Sequence, residues 1–243
     1  MGTLYLVRHG QASFGAADYD NLSPMGHQQA VRLGEYFAAK GMVFDGVLMG
    51  TLRRHAQTYA GICKGAGFDI QAASTPSGGS EVHAVTSVGA PLLWAGLNEY
   101  DSDAVVKAVH TEPLSTDRTP ENYRHHFRLL KTGLAAWMQG SAQPAGMPSY
   151  PDFVTGITSA LDHVRTQFAA NDKAKVLIVS SGGPISTAVG HVLGTSAETT
   201  IELNLRIRNS SLTEFAFTPK RHMLVTYNTL PHLEELPDWV TYT

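Results

Sequence analysis

Arg8, His9 and Gly10 follow one another directly and form the stretch of the sequence best suited to phosphoryl chemistry. A histidine is a competent nucleophile when one ring nitrogen donates to a fixed acceptor and the other is free. A neighbouring guanidinium can bind a phosphate through two parallel hydrogen bonds, and glycine lets the backbone approach a ligand closely. Because such a tripeptide also fits a surface turn after a strand, its meaning depends on the elements around it.

Short apolar runs that alternate with amphipathic segments predict the elements that would hold these residues. The run at 3–7 ends at Arg8, and a near-continuous apolar run at 175–180 is typical of a strand buried on both faces of a parallel sheet. Further strands are predicted at 45–49, 212–217 and 223–227, and helices at 24–40, 53–65, 101–110, 121–138, 153–169 and about 185–193.

Strands that alternate with helices predict an α/β fold with three αβα layers, in which a mainly parallel open sheet carries helices on both faces. Ligands of such sheets bind outside the carboxyl ends of the strands. The segments at 8–10 and 180–183 both lie at such ends. We therefore expect these two segments to converge on one pocket.

The segment from about 71 to 151 is the least regular part of the chain. Ser, Thr, Gly and Pro are dense between 71 and 93 and no period is visible there, which predicts a loop-rich excursion. A second loop is predicted at 139–151, and helical patterns lie between the two. Since no clear linker separates this segment, we expect residues 1–243 to form a single domain with a loop and helix cap inserted at about 71–151.

Composition bounds the class of protein. The chain has 243 residues, of which 43% are hydrophobic and 16% charged, so it can bury a core of domain size. A net charge of −3 without long Lys or Arg runs gives no argument for nucleic acid or an anionic membrane as partner. The single cysteine, Cys63, fits a reducing compartment. We find neither a signal-peptide pattern nor an apolar stretch of the roughly 20 residues that span a bilayer, and therefore expect a cytoplasmic protein.

Three motifs follow one another in the first quarter of the chain: LYLVRHG at 4–10, LSPMGHQQA at 22–30 and LRRHAQT at 52–58. They match an R-H-G strand end, an L-[ST]-x-x-G-x-x-Q-A helix start and an L-x-R-x-x-x-T helix start. The LNE segment at 97–99, the glycine pair at 182–183 and the NSSLT segment at 209–213 follow in order. In the order and spacing of these motifs, which extend over about residues 4–230, the chain resembles the histidine phosphatase, or phosphoglycerate mutase-like, superfamily.

The resemblance implies a role for each matching residue. His9 corresponds to the histidine that becomes phosphorylated. Arg8 and Arg54 correspond to the two arginines that clamp the phosphate. Glu99 corresponds to the acid that protonates the leaving oxygen, and such an acid needs a raised pKa, which burial beside apolar side chains could supply.

Two neighbouring residues compete for these roles. Arg53 could replace Arg54 by register alone, although the family spacing to Thr58 favours Arg54. Asp101 lies close to Glu99 in the sequence and is the alternative acid. Both alternatives stay open at the level of sequence, because the sequence does not show which side chain of each pair points into the site.

The chain departs from the family pattern after the predicted strand at 175–180. The family usually has a Ser-His-Gly-Gly-like turn there, whose histidine is the second imidazole of the phosphate pocket, whereas the aligned residue here is Ser181. A serine hydroxyl can donate one hydrogen bond to a phosphoryl oxygen but carries no positive charge. The backbone N–H groups of Gly182 and Gly183, at the start of a helix, are further candidates for phosphate binding.

A second departure lies just after the Arg-His-Gly triplet. The family often has Thr or Ser two residues further on and Asn three residues after that, where this chain has Ala12 and Gly15. Another histidine could stand in for the missing imidazole, and nothing in the sequence chooses between the candidates. They are His27, His55, His83, His110, His125, His126, His163, His191, His222 and His232.

Together these features predict a phosphomonoester hydrolase that acts through a phosphohistidine on His9. Glu99 would act with it, and the phosphate would be bound by Arg8, Arg54, Ser181 and Gly182. No cluster of histidines, cysteines or carboxylates has metal-ligand spacing, so we predict no metal and no other cofactor. The expected partner is a small phosphomonoester or phosphate. The alternatives are a phosphate-binding homologue of weak or no activity and, less favoured, a sugar-phosphate mutase.

Overall fold

Six strands form one sheet in the part of the chain that the computed structural model describes, namely residues 1–13, 20–68, 90–115, 117 and 119–242. They are β1 (Gly2–Arg8), β2 (Gly46–Met49), β3 (Leu92–Leu93), β4 (Lys175–Ser180), β5 (Leu212–Thr218) and β6 (Arg221–Thr229). Their order across the sheet is β3-β2-β4-β1-β5-β6. The first four strands in this order are parallel, whereas β5 is antiparallel to both β1 and β6. This confirms the predicted mainly parallel, open sheet.

Helices cover both faces of this sheet. They are α1 (Pro24–Ala39), α2 (Arg53–Ala66), α3 (Ser102–Lys107), α4 (Pro120–Met138), α5 (Tyr150–Gln167), α6 (Gly182–Leu193) and α7 (Ala197–Arg206). Successive residues of a strand point to opposite faces, so Leu177 and Val179 of β4 join α1 and α2 in one core cluster. Val176 and Ile178 join α5 and α6 in the other cluster. The three predicted αβα layers are thereby confirmed.

Helix α4, in the segment expected to form the cap, shares its core with the second of these layers. Its buried side chains Leu130, Leu134 and Trp137 belong to the same cluster as the inner residues of α5 and α6. Residues 71–89 of the predicted loop-rich excursion, and positions 116 and 118, lie outside the described residues. None of the helices described is long and apolar enough to cross a membrane.

Local signals account for the ends of the two helices nearest the N-terminus. Ser23 caps α1, because its hydroxyl accepts a hydrogen bond from the N–H group of Gly26. Gly67 follows α2 in the left-handed conformation, with φ of 70°, which glycine adopts without a steric penalty. These are the residue types that typically begin and end helices.

Helix α3 is shorter than predicted, and α6 begins at Gly182 rather than at about 185. Three further differences have a clear physical reason. The segment at 92–93 was expected to be loop but forms β3, whose two leucines are both exposed and show no alternation. Helix α7 was not predicted, because only Thr200 and Ile201 of it are buried and two residues define no period. Helix α5 begins at Tyr150 rather than at 153, since Ser149 caps it with its hydroxyl.

The carboxyl edge of the sheet gathers the segments that carry chemistry. Arg8, at the end of β1, lies beside Ser180, at the end of β4, in the paired register of the two strands. Helices α2 and α6 begin at Arg53 and Gly182, close after β2 and β4. The edge therefore combines an Arg-His-Gly segment with two helix N-termini, whose backbone N–H groups favour anions.

Candidate active site

His9 lies directly after β1 and is only 2% exposed. Its Nδ1 lies 2.7 Å from the carbonyl oxygen of Gly10, and Arg54 Nε donates to its Nε2 over 3.2 Å. A neutral imidazole with the proton on Nδ1 satisfies both contacts. Burial, followed by the charges of Arg8 and Arg54, holds the pKa of His9 well below its ordinary value of 6.5. The ring is therefore neutral and keeps a lone pair on Nε2.

Residues of the second and third motifs fasten the backbone that follows His9. Thr58 Oγ1 accepts from the Gly10 N–H group over 3.1 Å and donates to the Arg54 carbonyl over 2.7 Å. Gln29 Oε1 accepts from the Gln11 N–H group over 2.8 Å. Helices α1 and α2 thus hold the His9 loop through side chains that lie far from it in sequence.

Arg54 is the second residue of α2 and points into the pocket, whereas Arg53 is exposed. Besides its contact with His9, Arg54 donates through Nη1 to Asp20 Oδ1 over 2.8 Å. The other carboxylate oxygen of Asp20 accepts from the Arg53 N–H group over 2.9 Å, at the N-terminus of α2. Of the two candidate arginines, Arg54 is therefore the one beside His9. Asp20 was not predicted, because no motif marks it and its role arises from a tertiary contact.

Arg8 is buried and held by backbone carbonyls from the end of the chain. Its Nη1 donates to the carbonyl oxygens of Ile207 over 2.6 Å and Tyr242 over 3.1 Å. A β-carbon placed on Gly182 would lie 3.7 Å from Arg8 Nε, so the start of α6 lies close to this guanidinium. The structure thus brings Arg8 and Gly182 together at the carboxyl edge.

Glu99 reaches this edge from the segment after β3 and is partly buried. Its Oε1 accepts from the N–H groups of Gly183 over 3.0 Å and Tyr100 over 3.2 Å. Burial raises the pKa of Glu99, and the Gly183 hydrogen bond and the charges of Arg54 and Arg8 offset only part of that rise. Gly183, expected to offer its N–H group to phosphate, donates to this carboxylate instead.

Asp101, the alternative acid, has a different role. It is exposed and caps α3, because its Oδ1 accepts from the Ala104 N–H group over 3.0 Å. Glu99, with its raised pKa, is therefore the carboxyl group suited to donate a proton in this pocket.

Ser181 precedes α6 and is fully buried, with its Oγ 2.7 Å from His55 Nε2. His55 follows Arg54 in the first turn of α2 and is itself fully buried. Its ring centre lies 5.8 Å from that of His9, at 41° between the ring planes. Burial, and then the charge of Arg54, lowers the pKa of His55 to about 3. His55 therefore supplies a second imidazole beside His9. The sequence offered it as one of ten candidate histidines and did not choose between them.

The remaining histidine candidates lie elsewhere or outside the described residues. His232 is buried and contacts Ser210 Oγ over 2.9 Å, and His125 contacts the ring of His110 in the cap segment. His83 and Gly15 are not among the residues that the structure describes. Ala12 is buried and bridges to Leu22.

The arrangement combines a neutral imidazole, two buried guanidinium groups, a hydroxyl and a carboxyl group of raised pKa. Such a set can bind an oxyanion, attack its central atom and protonate a leaving oxygen. Within the described ranges, no group of three or more His, Cys, Asp or Glu side chains could hold a metal ion.

Comparison with known proteins gives a family profile and a set of similar folds. Residues 4–75 and 115–230, more than half of the chain, match the profile of the histidine phosphatase superfamily (branch 1). No curated protein sequence matches the chain.

Three solved structures illustrate the similarity of fold. Phosphoserine phosphatase from Entamoeba histolytica, in complex with 3-phosphoglyceric acid, is 22% identical with a TM-score of 0.60, over 96% of this chain and 100% of that one. Phosphoglycerate mutase from Bacillus anthracis is 18% identical with a TM-score of 0.61, over 95% and 94%. A mycobacterial glucosyl-3-phosphoglycerate phosphatase in complex with VO3 is 19% identical with a TM-score of 0.61, over 93% and 98%. At these identities the likeness shows a shared fold.

Proposed function

Because this chain belongs to the histidine phosphatase superfamily, we propose that it hydrolyses phosphomonoesters through a phosphohistidine intermediate on His9. The observation that carries the proposal is the state of His9. Its Nδ1 is tied to the Gly10 carbonyl, its Nε2 faces Arg54, and its pKa is lowered, so the ring is a neutral nucleophile.

The first half of the proposed reaction transfers the phosphoryl group to the enzyme. Arg8 and Arg54 hold the phosphoryl oxygens, and His9 Nε2 forms a bond to phosphorus while the bond to the alcohol oxygen breaks. The protonated carboxyl group of Glu99 gives its proton to that leaving oxygen. The raised pKa of Glu99 supports this step, since a general acid must hold its proton until it is needed.

The second half returns the enzyme to its starting state. Glu99, now a carboxylate, takes a proton from water as the water oxygen bonds to phosphorus and the bond to His9 Nε2 breaks. Phosphate leaves, and Glu99 is protonated again. Ser181 and the Gly182 N–H group lie at the N-terminus of α6. We propose that both donate further hydrogen bonds to the phosphoryl oxygens.

The surroundings of Glu99 support a hydrolase rather than a mutase. A pocket of about 270 Å³ touches Glu99 and is also lined by Asp101, Met147, Asp152 and Phe153. Among the described residues that line it there is no lysine or arginine to hold a second acidic group. We propose that the segment at about 71–151 forms a cap over the site and that its pocket accepts the alcohol part of the substrate.

The decisive experiment is to trap the intermediate. Wild-type protein is mixed with a ³²P-labelled aryl phosphate in EDTA and quenched. We expect a label that is lost in acid and retained in base, as expected for phosphohistidine, together with steady release of the alcohol. His9→Ala abolishes both, whereas His27→Ala, on the exposed face of α1, retains both. An acid-stable label, or a strict need for added divalent metal, would rule out the proposed chemistry.

Ser181 in place of the expected histidine keeps a phosphate-binding protein as the second candidate. Loss of one donor in a preorganised site typically slows turnover by about 100- to 1000-fold rather than abolishing it, which favours the enzyme. If wild-type protein binds inorganic phosphate, Arg8→Ala weakens that binding, and no phosphomonoester is turned over, the binding function takes its place.

A further inference from the structure

His55 is a buried imidazole next to His9 that the phosphoryl-transfer steps above do not use. We propose that His55 is a positioning residue that acts through Ser181: its Nε2–H group donates to Ser181 Oγ and turns the serine hydroxyl towards a phosphoryl oxygen. This inference rests on the proposed function of the site. It assigns a serine–imidazole pair to the place where the resemblance leads one to expect a single histidine.

Geometry supports the pairing. His55 Nε2 lies 2.7 Å from Ser181 Oγ, and both residues are fully buried. The side chain of His55 begins in the first turn of α2 and that of Ser181 at the start of α6. The contact therefore joins the two helix N-termini that meet at the carboxyl edge of the sheet, with the His9 ring 5.8 Å away from that of His55.

The backbone beneath His55 leaves room for an imidazole. A β-carbon placed on Gly50, just after β2, would lie 2.2 Å from His55 Nδ1 and 2.6 Å from Cε1. Such distances are far below contact distance, so a side chain at position 50 would displace the ring. The absence of a side chain at Gly50 and the 0% exposure of His55 show that the ring is closely packed.

The hydrogen-bond partners indicate which ring nitrogen carries the proton. Nε2 has Ser181 Oγ at 2.7 Å. Nδ1 makes no well-aligned hydrogen bond among the described residues, and its nearest hydrogen-bonding group is the backbone of Gly50, which raises the pKa of the ring less than burial and Arg54 lower it. Ser181 Oγ is the better-placed acceptor of the two, so we place the proton on Nε2. Burial and the charge of Arg54 keep the ring neutral. Ser181 Oγ then accepts from His55, and its own hydrogen remains for a phosphoryl oxygen.

Variants at the two positions test whether His55 acts through Ser181. We expect Ser181→Ala to lower kcat for an aryl phosphate about 100-fold. We expect His55→Leu, of similar size but without a donor, to lower kcat about tenfold, the effect of one hydrogen bond. His55→Gln keeps an N–H donor near the position of Nε2 and should recover most of that loss. In the Ser181→Ala background, His55→Leu should lower kcat no further.

The control for loss of a partly buried imidazole is His222→Leu. His222 lies on β6 opposite Phe217, which pairs with Gly2 at the amino end of β1, the edge remote from the pocket. This variant should leave kcat unchanged. If His55→Leu lowers kcat by the same factor in the wild-type and Ser181→Ala backgrounds, or if His55→Gln is as slow as His55→Leu, the proposed coupling is wrong.

A second readout does not depend on turnover. In ¹⁵N spectra of the imidazoles, His55 should show a protonated Nε2 and an unprotonated Nδ1 at pH 7. Adding inorganic phosphate should shift the His55 signals in wild-type protein and not in Ser181→Ala. A proton on Nδ1 would overturn the inference, because Ser181 would then donate to His55. Failure to trap a phosphoenzyme would instead count against the proposed function, and the spectra would still test the pair.

Discussion

At the scale of single residues, the site is governed by charge in a buried environment. Two guanidinium groups lie within it, and each has its own fixed partners: Arg54 binds Asp20, and Arg8 binds the carbonyls of Ile207 and Tyr242. Burial, together with these two charges, keeps the His9 ring neutral, and burial raises the pKa of Glu99. The same pocket thus shifts the pKa values of the proposed nucleophile and the proposed acid in opposite directions.

Glu99→Gln tests the acid. An alkoxide is a poor leaving group and needs a proton, whereas a nitrophenolate does not. We therefore expect Glu99→Gln to lower kcat for an alkyl phosphate by about 100- to 10,000-fold, and to have a much smaller effect on formation of the phosphoenzyme from p-nitrophenyl phosphate. Asp101→Asn is the matched control and should change neither rate. Equal losses on the two substrates in the Glu99 variant would show that the residue is not the acid.

Ser181→His tests whether the pocket has room for the missing imidazole. Because Ser181 is fully buried against His55, a histidine at 181 would overpack the site, and we expect a loss of about 1–3 kcal/mol in the free energy of unfolding together with slower turnover. The double variant His55→Ala and Ser181→His moves the imidazole from one helix to the other and should regain the lost stability. Denaturant unfolding of the three proteins measures this, and a double variant no more stable than Ser181→His would contradict it.

At the scale of elements, residues of the motifs form hydrogen bonds that hold helices α1 and α2 to the loop after His9. Thr58 connects α2 to Gly10, and Gln29 connects α1 to Gln11. Gly26 lets α1 approach closely, since a β-carbon there would lie 2.1 Å from the Gln11 carbonyl oxygen. The spacing within each of these two motifs is thus the spacing that one helix turn imposes on residues facing one loop.

Thr58→Val tests the hydrogen bond between Thr58 and the Gly10 N–H group. Valine has the shape of threonine but leaves the Gly10 N–H group without its acceptor in a buried place, so we expect the free energy of unfolding to fall by about 1–3 kcal/mol and kcat to fall with it. Thr58→Ser retains the hydroxyl and should keep most of the activity. Urea unfolding and phosphatase assays on the same samples measure both effects. A Val variant as active as the Ser variant would show that this hydrogen bond does not position His9.

At the scale of the whole molecule, buried neutral histidines make folding sensitive to acid. His55 and His232 are both buried, and burial is the main reason that the pKa of each is lowered to about 3. In the unfolded chain each takes up a proton near pH 6.5, while in the folded protein neither does until the pH approaches 3. Their contribution is therefore fully present above about pH 6.5 and is lost as the pH falls towards 3.

We expect the free energy of unfolding to decrease by up to about 3 kcal/mol per pH unit between pH 6 and pH 4 through these two residues, since each differs by one proton between the two states. Urea unfolding at several pH values measures the slope. His55→Gln and His232→Gln should each reduce this slope by about 1.4 kcal/mol per pH unit, the contribution of one proton. An unchanged slope in both variants would show that these rings titrate in the folded protein as they do in the unfolded chain.

The sequence by itself indicated the layers of the fold and the candidate nucleophile. Those features depend on local patterns: apolar runs of strand length, amphipathic periods, capping residues and short motifs whose members lie within one or two helix turns. The sequence did not predict β3 or α7, because β3 has only two residues and α7 only two buried ones, too few to show a periodic pattern. The choice of Arg54 over Arg53 and of Glu99 over Asp101 depended on which side chain turns inward.

Only the tertiary structure decided what surrounds His9. The contact of Asp20 with Arg54, the hold of Tyr242 on Arg8 and the pairing of His55 with Ser181 join residues 34, 234 and 126 positions apart. Such contacts arise when strands and helices distant in sequence converge at one sheet edge, and no local propensity encodes them. The physical reason is that hydrogen bonds and charges act over a few ångströms of space, whereas sequence patterns report only neighbours along the chain.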